Sequence, residues 1–234
     1  MGKGLFIAGT DTGVGKTFVA GVLATLLQAR GIDVGVMKPA ETGCIRRDGR
    51  LYPQDALYLK EKAGSADPVE EICPYALELP AAPSVAADAA GIVIDVEWIA
   101  DRFHHLSTRH QLIVVEGAGG LLVPLTDTAD YTHLIEKLQI PVLVVARASL
   151  GTINHTLLTC HWAMHRHLSI LGVVVNSPTG SPTLSEEANL EALFKRLPVP
   201  FLGHIPHLPD PAFDLSLVEK SIRLDQLLEL LELS

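Results

Sequence analysis

Short, continuously apolar runs separated by longer amphipathic stretches set the rhythm of this chain. GLFIA (4–8), IDVGVM (32–37), LIVV (112–115), PVLVVA (141–146) and ILGVVV (170–175) are bounded by polar or turn-forming residues. FVAGVLATLLQA (18–29) instead spaces its apolar residues at helical intervals. Further helices are expected over 55–63, 95–107, 129–138, 152–167 and 185–196. Pro39 stops the second strand, 41–54 reads as a loop, and 72–84, punctuated by prolines, reads as irregular. Strands apolar along their whole length, alternating with helices, predict an α/β fold: a mostly parallel central sheet flanked by helices, in one domain over 1–234. Its functional edge then lies at the carboxyl ends of the strands, just after Ala8, Met37, Val115, Val145 and Val175. The leucines of SLVEKSIRL and LLELLELS (216–224 and 227–234) recur at helical spacing and suit either a sheet face or another subunit.

Composition narrows the class. With 48% hydrophobic, 19% charged and 5% aromatic residues, the 234-residue chain has the makeup of an ordered globular protein. A net charge of -9 argues against nucleic acid and anionic membranes as partners. No apolar run reaches membrane-spanning length. Cys44, Cys73 and Cys160 are scattered and odd in number, which fits a reducing cytoplasm better than a disulfide scaffold.

Between the first strand and the first helix lies GTDTGVGKT (9–17). Five residues separate Gly9 from Gly15-Lys16, one more than in the standard phosphate-loop spacing. Gly13 and Gly15 let the backbone of Thr12, Gly13, Val14 and Gly15 turn its amides inward, and the helix start adds an electropositive end. Lys16 would reach the β- and γ-phosphates of a nucleotide and Thr17 would ligate magnesium. The competing reading, a glycine turn with a chance lysine, lacks a reason for the strand and helix on either side. Asp11 could cap the loop through backbone amides, touch a metal-bound water, or orient a cationic substrate.

Other strand ends supply further chemistry. Lys38 is either a solvated strand terminus or a cation for a transferring phosphoryl group, and Thr42 could add a hydroxyl to the same pocket. Glu116, ahead of GAGG, is placed for magnesium, the alternative being an ordinary surface glutamate. Asp55 fits a helix N-cap and a magnesium ligand equally well. Asn176 in NSP (176–178) could read an adenine edge or form the turn, and LGHIP (202–206) could wall a base. His161 and His165 share a helical face, but neither HExxH nor a completing acid accompanies them, and no GxSxG elbow occurs.

Together, GTDTGVGKT, KPAETG (38–43), QDA (54–56), VVEGAGG (114–120), ASLGTINHTLLT (148–159), VVVNSP (173–178) and LGHIP resemble the dethiobiotin synthetase family, in its order and over essentially the full chain. The resemblance implies a P-loop NTPase-like enzyme that uses ATP and Mg2+ to close a ureido ring on 7,8-diaminononanoate with CO2. The route passes through a carbamate and a carbamic-phosphoric anhydride, without a protein nucleophile. It implies that Thr17, Asp55 and Glu116 hold magnesium, and that Thr12, Lys16, Lys38 and Thr42 surround the carbamate and phosphoryl group. Asn176 with Gly203, His204, Ile205 and Pro206 would form the adenine site. The substrate carboxylate would be received across a homodimer interface by Leu150, Gly151, Thr152 and Asn154. Gly13 stands where some relatives carry glutamate. A partitioning ATPase, the main alternative, would place a lysine after the first glycine, where this chain has Thr10. Amidation of a large carboxylate would need ammonia delivery, for which the chain has no glutaminase-sized addition.

Overall fold

The computed structural model describes residues 3–178, 180, 183–208 and 215–233. β1 (Lys3–Gly9) leads through the glycine-rich turn to α1 (Lys16–Ala29) and β2 (Val34–Met37). An excursion follows, made of β3 (Ala40–Thr42), β4 (Ile45–Arg47), β5 (Arg50–Tyr52), α2 (Gln54–Lys62), α3 (Val69–Ile72), β6 (Tyr75–Leu77) and α4 (Pro83–Ala90). Regular alternation returns with α5 (Val96–Ser107), β7 (Leu112–Glu116), α6 (Tyr131–Leu138), β8 (Val142–Arg147), α7 (Thr152–His165) and β9 (Ile170–Asn176). The chain continues through α8 (Leu184–Phe194), β10 (Phe201–Ile205), α9 (Leu215–Ser221) and α10 (Leu224–Leu230).

Six strands form one sheet in the order β10-β9-β8-β1-β7-β2, and every neighbouring pair is parallel. Side chains alternate across it, so each strand feeds two cores. Leu5, Ile7, Val114 and Val145 pack toward α1, α2 and the C-terminal helices, while Phe6, Ala8, Val115 and Val144 pack toward α4 to α8. Burial on both faces is why these strands are apolar throughout. Strand order switches direction around β1, whose neighbours β7 and β8 lie on opposite sides, and this opens the crevice that the phosphate loop occupies. Among the described residues no helix is long and apolar enough to cross a membrane.

Three expectations need correction. Residues 41–54 are not a plain loop: β4 and β5 pair antiparallel around Asp48-Gly49, both at positive φ (50° and 78°), as a two-residue hairpin turn requires. Within 72–84, β6 pairs parallel with β3, Glu41 opposite Ala76. Pro74 and Pro80 flank this strand without interrupting it, and Pro83 opens α4, where its missing N–H costs nothing. α7 ends at His165, two residues earlier than expected, and His167 leaves the helix at φ 56°.

The tail covers a sheet face. Val218, Leu224, Leu227 and Leu231 join the core beneath α1. It also runs along the outer edge of β10, where Arg223 N donates to Leu202 O at 2.7 Å and Gly203 bridges Ile222. Contact is so close that a Cβ on Gly203, at φ 145°, would stand 2.1 Å from Ser221 O.

Candidate active site

The parallel register assembles the site. Met37 pairs with Val115, so the next residues along each strand, Lys38 and Glu116, emerge side by side, and Ile7 of β1 pairs with Glu116 itself. The phosphate loop leaves β1 two residues later. Gly15 caps α1 in the left-handed conformation with no side-chain acceptor, so the first amides of α1 remain for an anion. A side chain at Gly15 is doubly excluded: φ is 93°, and a Cβ would lie 2.1 Å from Asn176 Nδ2.

These elements wall a cavity of about 670 Å³ that brings together Thr12, Gly13, Gly15, Lys16, Thr17, Lys38, Thr42, Asp55 and Glu116. Its hub is one carboxylate oxygen. Glu116 Oε1 accepts from Thr17 Oγ1 at 2.8 Å and from Lys38 Nζ at 2.7 Å, and Lys38 Nζ also donates to Asp55 Oδ2 at 2.8 Å. Burial alone would lower the Lys38 pKa, but Glu116 and Asp55 override it and hold the group above the ordinary lysine range. Lys38 is therefore a buried ammonium whose charged form is favoured by the two carboxylates it bonds. The reading as a solvated strand end does not describe it, since only 3% of the residue is exposed.

Glu116 is likewise no surface glutamate, at 1% exposure, and its Oε2 is buried without a hydrogen-bond partner. A desolvated carboxylate oxygen left free, beside a hydroxyl and a second, half-exposed carboxylate on Asp55, is a donor set suited to a hard divalent cation. Asp55 does not cap its helix: Pro53 occupies that position, and the amides of Asp55 and Ala56 are received by Glu41. Sequence reasoning missed Glu41 because the contact joins segments 14 residues apart. It also missed the apolar wall from Pro80 to Pro83 and Val123.

Lys16 Nζ donates to Asp11 O at 3.2 Å, and Asp11 Oδ1 accepts the Thr12 amide at 2.7 Å, the capping arrangement among the alternatives for that residue. Desolvation is the main cause that lowers the Lys16 pKa to about 8, with Lys38 adding to it against the opposing carboxylates. A bound polyphosphate would raise it again. ADP binding should thus take up protons at pH 9 through Lys16, the uptake should disappear toward neutral pH, and affinity should fall as pH rises above 8. Calorimetry in buffers of different ionisation enthalpy measures the uptake, and Lys16→Met should abolish it.

At the far strand ends, Asn176 is buried and its Nδ2 donates to Val14 O at 3.0 Å, a tie to the phosphate loop that neither sequence reading contained. Ser177 N donates to Ile205 O, and Ser177 Oγ lies 2.9 Å from His204 Nε2. Burial lowers the His204 pKa, which keeps the ring neutral at physiological pH. Gly203 and Ile205 are buried and Pro206 is half-buried. Leu150, Gly151 and Asn154 are not brought to the phosphate cavity of their own chain. They line a separate surface cavity of about 570 Å³ along α7. Thr152 is buried beside Thr156.

A parallel sheet with a glycine-rich loop and lysine at its switch point defines a phosphate-loop nucleotide enzyme, and residues 3–212 match the family described as "AAA domain". Solved structures agree in fold. The MinC:MinD cell division complex of Aquifex aeolicus superposes with a TM-score of 0.59 at 16% identity, covering 99% of this chain and 96% of that one. MinD of Pyrococcus horikoshii, solved with Mg-ADP, gives 0.57 at 17%, covering 97% and 89%. Sequence is more discriminating. The ATP-dependent dethiobiotin synthetase BioD of Anaeromyxobacter dehalogenans (strain 2CP-C) is 44% identical, over 90% of this chain and 92% of its own length. That of Bacillus licheniformis is 40% identical over 89% and 87%. The chain belongs to the dethiobiotin synthetase family.

Proposed function

We propose that this protein, as a single domain, carries out ATP- and Mg2+-dependent ring closure on 7,8-diaminononanoate with CO2, giving dethiobiotin, ADP and phosphate in the cytoplasm. One amine attacks CO2 and loses a proton to give a carbamate. A carbamate oxygen then attacks the γ-phosphorus as ADP leaves, and the second amine attacks the carbonyl carbon, expelling phosphate. The observation that carries this reading is the meeting of two lysines, Lys16 and Lys38, with the carboxylates of Asp55, Glu116 and Glu41 in one cavity, in a chain of this family. Acyl-phosphate chemistry of this kind asks for positioned charge and not for a protein nucleophile.

Thr17, Asp55 and Glu116 would hold magnesium, which when bound supplies charge neutralisation across the phosphates. Lys16 and the amides of residues 12–15 receive the phosphates. Lys38, Thr12 and Thr42 face the carbamate and the transferring group. Asn176 and the 203–206 segment form the adenine side. Leu150, Gly151, Thr152 and Asn154 take the substrate carboxylate for the other subunit of a homodimer, a reading supported by Leu150, Gly151 and Asn154 lining a separate cavity from the phosphate cavity of their own chain.

Mass spectrometry after incubation with diamine, bicarbonate, Mg2+ and ATP should show ring-closed product in step with ADP, and little ATP use without diamine. ATP hydrolysis without that product would refute the assignment. The shared site has its own test. Lys16→Ala and Asn154→Asp chains, each nearly inactive alone, should regain activity when mixed, because one site of each heterodimer then has both residues intact. Verified heterodimers without recovery would rule out the borrowed carboxylate site.

A further inference from the structure

Glu41 is a buried carboxylate to which the chemistry above gives no task, 5% exposed on a three-residue strand. Both of its oxygens are committed. Oε1 accepts the Asp55 amide at 3.0 Å and Oε2 the Ala56 amide at 2.9 Å. These are first-turn donors of α2, which no residue of that helix can satisfy, and the N-cap residue Pro53 brings no side-chain acceptor. A carboxylate at a helix start is favoured by both hydrogen bonding and the macrodipole. Here it is delivered from another strand.

What this cap holds in place matters more than the helix. Asp55 is gripped at two points by one short segment: its amide by Glu41 and its carboxylate by Lys38, three residues earlier in the chain. Lys38 also bonds Glu116, so the two candidate magnesium carboxylates are spaced by a single ammonium while Glu41 fixes the backbone that carries one of them. β3 is itself anchored, with Glu41 paired opposite Ala76 of β6.

We infer that Glu41 is a positioning residue for magnesium, acting through the backbone of Asp55 to set that carboxylate across from Glu116 and Thr17. The inference rests on the metal reading proposed above. Residues that orient a metal ligand cost about 10- to 100-fold in metal affinity when removed, and Glu41→Ala should raise the magnesium concentration for half-maximal enhancement of ADP binding by that factor. Glu41→Gln keeps the volume and one acceptor but turns an N–H toward the second amide, so its loss should be smaller than that of Glu41→Ala.

The test is calorimetric titration of ADP into parent, Glu41→Ala and Glu41→Gln proteins, with magnesium and in chelator. Expected is a graded loss with magnesium, while magnesium-free ADP binding stays within about twofold of the parent, since no phosphate-loop atom has been touched. A purely structural role would weaken both alike. Unchanged magnesium enhancement in either variant, or equal losses with and without the metal, overturns the inference. If Glu41→Ala does not fold, the Glu41→Gln titration decides alone. No enhancement in the parent would overturn both this inference and the metal reading. Because the diamine takes no part, failure of the ring-closure reading would show separately, in the product assay.

Discussion

Lys38→Ala should lower turnover at saturating substrates by roughly 30- to 900-fold, the equivalent of about 2–4 kcal/mol of transition-state stabilisation. The ammonium lies within 2.8 Å of two carboxylates and is almost wholly desolvated, so its charge acts at low dielectric and cannot be replaced by water. If Lys38 acts on the transferring phosphoryl group as proposed, ADP affinity should change far less than kcat. A second effect follows from burial. Without Lys38, Glu116 stays buried beside no direct cation, a situation that costs about 3–5 kcal/mol where one partner of a buried pair is removed. The charge of Lys16, which also acts on Glu116, keeps the loss toward the lower end. Thermal melts should therefore show a drop in magnesium-free buffer that narrows when Mg2+ and ADP are added. Turnover within twofold of the parent would take Lys38 out of the chemistry.

Replacing the hub carboxylate should separate metal from fold. In Glu116→Gln the amide oxygen can still accept from Thr17 and Lys38, and Lys38 keeps Asp55, so the native structure should persist. The NH₂ group, however, takes the place of the buried Oε2, which turns a free acceptor into a donor pointed where a cation should sit. The magnesium requirement should rise by at least about 10- to 100-fold, the loss already seen for residues that merely orient a ligand. Excess metal should restore part of the rate. Metal titration of turnover measures it, and an unchanged half-saturation point would remove Glu116 from the metal site.

The parts of this design readable from sequence are those written within one segment. Apolar strands buried on both faces, the glycine spacing of the loop, and Lys38, Asp55 and Glu116 at element ends are all local statements. Glu41 is not, because its meaning arises only when β3 is laid against the start of α2, and a glutamate in a short strand has no periodicity to flag it. The β3–β6 pair was hidden for a related reason: two three-residue strands, each directly after a proline, fall below the length at which alternation is visible. Asp48-Gly49 did carry a recognisable hairpin signal that the loop assignment passed over. The order β10-β9-β8-β1-β7-β2 had no local trace at all, since strands apolar along their whole length do not name their neighbours.

The tail's passage along β10 matters for how the protein behaves in a crowd. A parallel sheet ends in strands whose outer amides and carbonyls are templates for another chain's strand, and an uncovered apolar edge invites such pairing. Here Arg223 and Ile222 occupy that template, and the near contact of Gly203 with Ser221 leaves no room for an incoming strand at that point. The tail that carries α9 and α10 thus serves colloidal stability as well as the core. Removal of residues 215–233 should be felt as concentration-dependent aggregation, measured by light scattering across a dilution series.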